Sequence, residues 1–131
     1  MASLDDETRE LLAAPNIVQL GTISKGGWPH ITPVWADVED GRILINSAEG
    51  RAWPANVRRD PRVTITVSPA DDPYVHTTIR GRVVEDSHET ADADIDRLAK
   101  KYLGADEYPY RKADEQRVTF WIEPEQVSKH T

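Results

Sequence analysis

The chain has 131 residues, no cysteine and a formal net charge of −7, because 23 acidic side chains outnumber 16 basic ones. This length predicts a single domain over residues 1–131, and the absence of cysteine excludes a disulfide scaffold, a zinc–thiolate site and a thiol nucleophile. The acidic balance argues against binding to nucleic acid or to an anionic membrane surface.

The N-terminal segment predicts a short helix. Ser3 precedes the acidic residues 5–7, a pattern that favours a helix start, and the helix must end before Pro15. The first ten residues are acidic rather than basic and apolar, and no stretch approaches the roughly 18 apolar residues that a membrane span requires. We therefore expect a cytoplasmic protein that does not enter a membrane.

From Ile17 onward, alternating apolar and polar residues predict β-strands, which turns rich in glycine, proline and aspartate separate. Within the fifth strand, Gly81 predicts a bulge or a bend. The six predicted strands are Ile17 to Ser24, Trp28 to Val38, Arg42 to Asn46, Arg62 to Val67, Tyr74 to Glu85 and Val118 to Glu123.

Two helical segments interrupt the strands. Residues 47–60 predict a loop that enters one or two helical turns, which a following proline stops. Asp86 and Ser87 are expected to cap a helix that runs to about Leu103 and is closed by Gly104. Short strands with helices at only two of their connections favour an antiparallel barrel over a parallel sheet.

The sequence gives little support for a metal site, a hydrolase or a nucleotide-binding loop. The four histidines are scattered, and none pairs with a nearby carboxylate at the spacing of metal ligands. Ser47 and Ser68 lack the flanking glycines of a nucleophile elbow, and no glycine-rich phosphate loop follows a strand. We therefore expect no metal site, no hydrolase and no usual nicotinamide or nucleoside-triphosphate site.

The junction after the third strand is a candidate anion site. It offers a phosphate the free N–H groups of a helix start, the guanidinium of Arg51, and neutral polar groups on Asn46, Ser47 and Asn56. The alternative interpretation is that Ser47 and Asn56 only cap turns and that the arginines of this region are solvated.

Pro33 breaks the hydrogen-bond ladder of a strand that the pattern predicts to be central. The backbone groups freed in this way can bind the edge of a flat heterocycle. The alternatives are that Pro33 marks an edge strand or a bulge, that Trp35 is a core residue and that His30 is structural.

Four motifs, taken in order, resemble the pyridoxamine-phosphate-oxidase-like split β-barrel family, and within it the actinobacterial deazaflavin-dependent oxidoreductases of the B group. The resemblance implies a mainly β fold, namely a six-stranded antiparallel Greek-key split β-barrel with short peripheral helices. It also implies a homodimer with the cofactor in a cleft that both subunits share. The motifs are Gly27 to Trp35, Asn46 to Ala52, Asn56 to Val63 and Ile79 to Val83.

The resemblance implies a role for individual positions. The backbone of Thr32, Pro33 and Val34 would hold the pyrimidine edge of the cofactor ring, and His30 would give a proton or a hydrogen bond to the acceptor. Trp53 stands where the family often has lysine, and could stack on the cofactor, line the substrate cleft or lie in the dimer interface. The expected phosphate-tail residues are Asn46, Ser47, Arg51, Asn56 and Arg58. The expected substrate-cleft residues are Trp35, Tyr108, Tyr110 and Arg111.

The implied chemistry is hydride transfer between coenzyme F-420, an 8-hydroxy-5-deazaflavin, and a conjugated, partly hydrophobic small-molecule electron acceptor. Two alternatives stay open at this point. With FMN as cofactor, the same fold would be a flavin reductase or a pyridoxamine-phosphate-oxidase-type enzyme. As a non-catalytic protein, it would carry the cofactor or a tetrapyrrole.

Overall fold

A computed structural model describes residues 3–130, which form three helices and seven strands. All seven strands belong to one antiparallel sheet with the order β2-β1-β5-β6-β7-β4-β3, so the chain is mainly β. In chain order the elements are α1 (Asp6–Ala13), β1 (Val18–Ile23), β2 (Pro29–Val34), β3 (Ala36–Glu39), β4 (Arg42–Ala48), α2 (Ala52–Arg59), β5 (Arg62–Val67), β6 (His76–Ser87), α3 (Ala91–Leu103) and β7 (Arg117–His130).

The two edge strands of the sheet are consecutive in the chain, and this makes the sheet curl. β2 ends at Val34 and β3 begins at Ala36, so Trp35 alone joins the two ends of the strand order. All seven strands contribute to one apolar core on the concave side, as expected for a curled sheet. Representative members of this core are Val18, Val34, Ala36, Ile45, Ile65, Ile79 and Phe120. The result is a half-barrel that is split between β2 and β3.

Successive side chains of β4 and β7 point to opposite faces of the sheet, and those on the outer face form a second, smaller core outside the barrel. Ile45 and Phe120 belong to the barrel core, whereas their neighbours Leu44 and Trp121 pack with Leu98 of α3. α3 therefore covers the outer face of β4 and β7. This packing places α3 beside the end of β4, where the candidate site lies.

The sequence underestimates the number of strands. The single strand expected from Trp28 to Val38 is two strands, because the chain crosses at Trp35 from one edge of the sheet to the other. β2 is consequently an edge strand, so the expectation of a central strand interrupted by Pro33 was wrong. The expected last strand, Val118 to Glu123, extends from Arg117 to His130, because its polar C-terminal half pairs with β6.

The helices also differ from expectation at their starts. Asp5, not Ser3, caps α1, because its carboxylate accepts a hydrogen bond of 2.9 Å from the backbone N–H of Thr8. Asp86 and Ser87 belong to β6 and do not cap α3, which begins at Ala91. The closure of α3 by Gly104, in the left-handed conformation at φ 71°, is confirmed. Within residues 3–130, no helix combines the length and the apolar character needed to cross a membrane.

We predict that Gly81→Ala destabilises the protein strongly. The β6–β7 register shifts at Gly81, and a Cβ there would stand 2.9 Å from Cγ2 of Ile122 and closer still to the carbonyl oxygen of Glu123. Because two paired strands would have to move apart, the free energy of unfolding should fall by about 2 kcal/mol or more. Urea unfolding followed by tryptophan fluorescence measures this change.

The matched control is Gly26→Ala, where the new Cβ would meet only Cδ1 of Trp28 at 3.7 Å. Its effect should stay within about 0.5 kcal/mol. Equal losses in the two variants would contradict the steric explanation.

Candidate functional site

A cavity of about 530 Å³ opens beside the split between β2 and β3. A cavity of this size accommodates a cofactor-sized planar molecule. We call it the cleft, and three elements form most of its wall: β2, the β4–α2 junction and α3. Its lining residues are Ile17, His30, Thr32, Pro33, Val34, Trp35, Asn46, Ser47, Arg51, Ala52, Trp53, Ile95, Leu98, Tyr108, Tyr110 and Arg117.

The β2 side of the cleft presents the backbone of an edge strand. Thr32, Pro33 and Val34 line the cleft, and β2 pairs on one side only, with β1. An edge strand leaves backbone groups without ladder partners, and proline is compatible with such an edge. His30 lines the same wall, with Nδ1 3.3 Å from Oγ1 of Thr32. These groups suit the polar rim of a heterocycle.

Aromatic side chains also line the cleft, namely Trp35, Tyr108 and Tyr110. Trp35 stacks on Tyr102 with centroids 5.3 Å apart and planes 9° apart, and Tyr108 meets Trp35 edge-on at 6.1 Å. Tyr110 contacts Tyr108 at 5.7 Å. Burial raises the pKa of Tyr102, whose hydroxyl donates a 2.7 Å hydrogen bond to the carbonyl of Asn16. Tyr102 therefore fixes the Trp35 ring, although it does not itself line the cleft.

The start of α2 faces the cleft through Ala52 and Trp53. No side chain caps this helix end, and Pro54 supplies no N–H, so the remaining first-turn N–H groups suit an anion. Arg51 is the N-cap residue, and its side chain is 49% exposed. The ring of Trp53 packs against Phe120 in the barrel core, with the ring centroids 5.0 Å apart.

Arg117 is a cleft residue that sequence analysis missed. Its side chain is only 3% exposed, and its Nε and Nη2 donate to Oδ1 of Asn46 at 3.0 and 2.9 Å. Its Nη1 donates to Glu115 at 2.6 Å, and its guanidinium lies 4.9 Å from the Tyr108 ring. The pairing of β4 with β7 brings these residues together across 71 positions of sequence, and no local pattern signals that contact.

Asn46 lines the cleft, but protein groups engage its whole amide. Its Nδ2 donates to the carbonyl of Ala91 and to Oγ1 of Thr119, each at 3.0 Å, while its oxygen accepts from Arg117. The Thr119 hydroxyl in turn donates to Asp94 at 2.8 Å. Asn46 thus fixes the position of the Arg117 guanidinium.

Two expected tail residues lie outside the cleft lining. Asn56 is buried against β1, where its Nδ2 donates to Oγ1 of Thr22 at 3.0 Å. Arg58 donates to Oε2 of Glu49 at 2.9 Å through Nη2, and Nε2 of His88 contacts the same carboxylate at 2.5 Å. These contacts tie α2 to its neighbours, and a direct cofactor contact by either residue stays a prediction.

Arg111 also lies outside the cleft lining. Its guanidinium pairs with Asp92 at 2.9 Å and with Asp96 at 2.6 Å, both on α3. Asp96 additionally accepts the backbone N–H of Tyr108 at 2.8 Å. Arg111 therefore holds the segment that carries Tyr108 and Tyr110 against α3. Elsewhere in residues 3–130, as in the cleft, no group of three or more His, Asp or Glu side chains is arranged to hold a metal ion.

Known proteins share this fold. The family model described as pyridoxamine 5'-phosphate oxidase matches residues 4–131. A solved structure named F-420 reductase is 23% identical, covers 95% of this chain and 98% of its own, and superposes with a TM-score of 0.83. A conserved hypothetical protein from Mycobacterium tuberculosis is 22% identical over 99% and 86% of the two chains, with a TM-score of 0.71. A putative pyridoxamine 5'-phosphate oxidase from Listeria innocua is 20% identical over 86% of each chain, with a TM-score of 0.64.

We predict an acid-sensitive contribution to stability from Glu49. Hydrogen bonds from Arg58 and His88 lower the pKa of Glu49 from 4.5 to about 2. A carboxylate whose pKa is depressed by folding stabilises the folded state above its unfolded pKa, and loses that contribution as the pH falls toward the folded value. Glu49→Gln should therefore be destabilising at pH 7, and this deficit should shrink between about pH 4.5 and pH 2.

Urea unfolding of wild type and variant across this pH range measures the deficit. Glu125→Gln is the control, because its pair with Arg82 at 3.1 Å is about half exposed on both sides and such pairs contribute little. A deficit for Glu49→Gln that is independent of pH would contradict the assignment.

Proposed function

Because this chain belongs to the pyridoxamine 5'-phosphate oxidase family, we propose that it is an oxidoreductase that binds coenzyme F-420 in the cleft. One observation carries the proposal. The cleft brings together the backbone of an edge strand, an aromatic wall and the guanidinium of Arg51 at an uncapped helix start. The solved structure of this fold that is named F-420 reductase supports the choice of cofactor.

The residues present fit such a group. A tricyclic ring needs a flat slot with polar atoms along one rim, and β2 together with the ring of Trp35 supplies both. A phosphate needs N–H donors and a cation, and the first turn of α2 together with Arg51 supplies these. The volume of about 530 Å³ is sufficient for the ring system.

In this arrangement the backbone of Thr32, Pro33 and Val34 binds the pyrimidine edge of the ring. Ser47 and Arg51 bind the phosphate-bearing tail, and Asn46 acts through Arg117. Each charge-assisted hydrogen bond to the phosphate would contribute about 1.5 to 3 kcal/mol. Trp53 holds the start of α2 in place through its contact with Phe120.

The bound deazaflavin would supply hydride transfer between its ring carbon and a conjugated, partly hydrophobic acceptor. The protein orients the two reactants and keeps water away, which is the main contribution that such a site makes to the rate. Leu98, Tyr108 and Tyr110 supply the apolar surface for the acceptor. Thr32 Oγ1 lies 3.3 Å from Nδ1 of His30. In the tautomer in which Nδ1 accepts from this hydroxyl, Nε2 carries the ring proton and can give a proton or a hydrogen bond to the acceptor.

FMN is the second candidate cofactor, because the family description names a pyridoxamine 5'-phosphate oxidase. The ring and tail contacts proposed above would serve either molecule. Direct competition between the two separates the candidates. Titration of the apoprotein with coenzyme F-420 and with FMN, followed by fluorescence, should show tighter binding of coenzyme F-420. Tighter binding of FMN would replace the cofactor assignment, and binding without transfer to any acceptor would favour a carrier.

We further propose that the protein is a homodimer whose partner subunit completes the cleft. A second cavity, of about 570 Å³, is lined mainly by residues of β1, β2, β5 and β6. Ile31 in this cavity is 68% exposed, and the nearby Trp28 is 77% exposed. Large apolar side chains that are exposed on one segment of the surface are typical of an interface.

We predict that Arg51→Ala weakens binding of coenzyme F-420 about tenfold or more, because the phosphate loses a cation while the fold keeps its core. The dissociation constant from fluorescence quenching measures the effect. The control is Arg59→Ala, which removes an exposed arginine of the same helix that does not line the cleft. An unchanged dissociation constant for Arg51→Ala would count against the anion site.

We predict that analytical ultracentrifugation at micromolar concentration shows a two-chain species. Ile31→Lys should shift the equilibrium toward monomer, because the added charge would be buried at the proposed interface. A wild-type protein that sediments as a monomer at this concentration would overturn the dimer proposal.

A further inference from the structure

Glu115 has a buried carboxylate that contacts both arginines of the cleft lining. Its side chain is 5% exposed, and Oε1 accepts from Nη2 of Arg51 at 3.0 Å and from Nη1 of Arg117 at 2.6 Å. Its other oxygen accepts the backbone N–H of Lys112 at 3.2 Å. Arg51 and Arg117 both line the cleft, whereas Glu115 does not.

Glu115 therefore sets the net charge of the proposed anion site. The cleft lining contains two guanidiniums and no carboxylate. With Glu115 in contact with both guanidiniums, the three side chains together carry one positive charge. The other nearby arginines are already paired, Arg58 with Glu49 and Arg111 with the acidic residues of α3.

The carboxylate of Glu115 is ionised at neutral pH. Burial raises its pKa, but the Lys112 N–H and the Arg117 and Arg51 guanidiniums outweigh that effect, and the pKa of Glu115 lies below its ordinary value. The negative charge is thus a fixed part of the site when a ligand arrives.

The net charge of a site selects the charge of its ligand. The attraction between site and ligand grows in proportion to the charge on the ligand, whereas the cost of removing that charge from water grows with its square. The best ligand charge consequently increases with the charge of the site. A site that carries one positive charge suits a singly charged anion better than a doubly charged one.

We propose that Glu115 makes the cleft select a singly charged phosphodiester over a doubly charged phosphomonoester. This inference rests on the proposed function, because it concerns the tail of the cofactor. The tail of coenzyme F-420 is joined through a phosphodiester, whereas FMN ends in a phosphomonoester that carries about −1.5 to −2 at pH 7. Glu115 is thus a specificity-determining residue that acts through the two arginines.

The test compares FMN with its phosphate methyl ester, which has the same ring and one charge. Dissociation constants at pH 7.5, from flavin fluorescence, isolate the effect of the second charge because the ring contacts cancel. Wild type should prefer the ester by about threefold or more, and Glu115→Gln should shift the ratio about tenfold toward FMN. Glu85→Gln removes the same charge at a partly exposed pair with Arg42 that lies outside the cleft, and it should leave the ratio unchanged.

A second measurement uses wild type alone and does not depend on folding of the variant. The FMN phosphate gains its second charge near pH 6. The affinity of FMN relative to the ester should therefore fall as the pH rises from 5 to 7.5. Using the ester as the reference at each pH isolates the effect of the second phosphate charge.

The outcomes separate the two proposals. If both flavins bind and Glu115→Gln leaves their ratio unchanged, or if the relative affinity of FMN rises with pH in wild type, the role of Glu115 is overturned and the cofactor site stands. If neither flavin nor coenzyme F-420 binds, the proposed function is overturned together with this inference.

Discussion

The whole architecture depends on one covalent constraint, the joining of β2 and β3 by Trp35 alone. Because these strands form the two edges of the sheet, the sheet has to curl until the two edges lie close together. β2 and β3 nevertheless do not pair with each other. The edge of β2 therefore stays free of a ladder partner at the mouth of the cleft. The same joint turns Trp35 outward to stack on Tyr102. The unpaired edge of β2 and the position of Trp35 in the cleft thus have a single origin.

The anion side of the cleft depends on buried charge. Burying a guanidinium is costly unless ion pairs and hydrogen bonds satisfy it, and Arg117 has both in Glu115 and Asn46. The arrangement links β4, β7 and the start of α2 through side chains. Arg117 and Trp53 both line the cleft, and Trp53 stands where the family resemblance leads one to expect lysine. The second guanidinium of the cleft lining, that of Arg117, belongs to β7, the last strand of the chain.

Family membership and cofactor choice rest on different kinds of observation. The match over residues 4–131 fixes the family, and the superposition on proteins of 20 to 23% identity fixes the fold. Under the proposed function, the choice of cofactor would depend on a few side chains around the phosphate, because one charge distinguishes a monoester from a diester. Glu115 would then carry more information about the cofactor than the barrel does.

The sequence by itself determined the elements that short-range patterns encode: alternating strands, the helix that Gly104 closes, the irregularity at Gly81 and the two motifs around Pro33 and Arg51. It missed the division of one predicted strand at Trp35, because apolar alternation continues across a crossing of the sheet. It also missed Arg117 and Glu115 as partners of Asn46 and Arg51. Only the tertiary structure decided these contacts, because strand register brings residues about 70 positions apart into hydrogen-bonding distance. Local periodicity contains no information about that register.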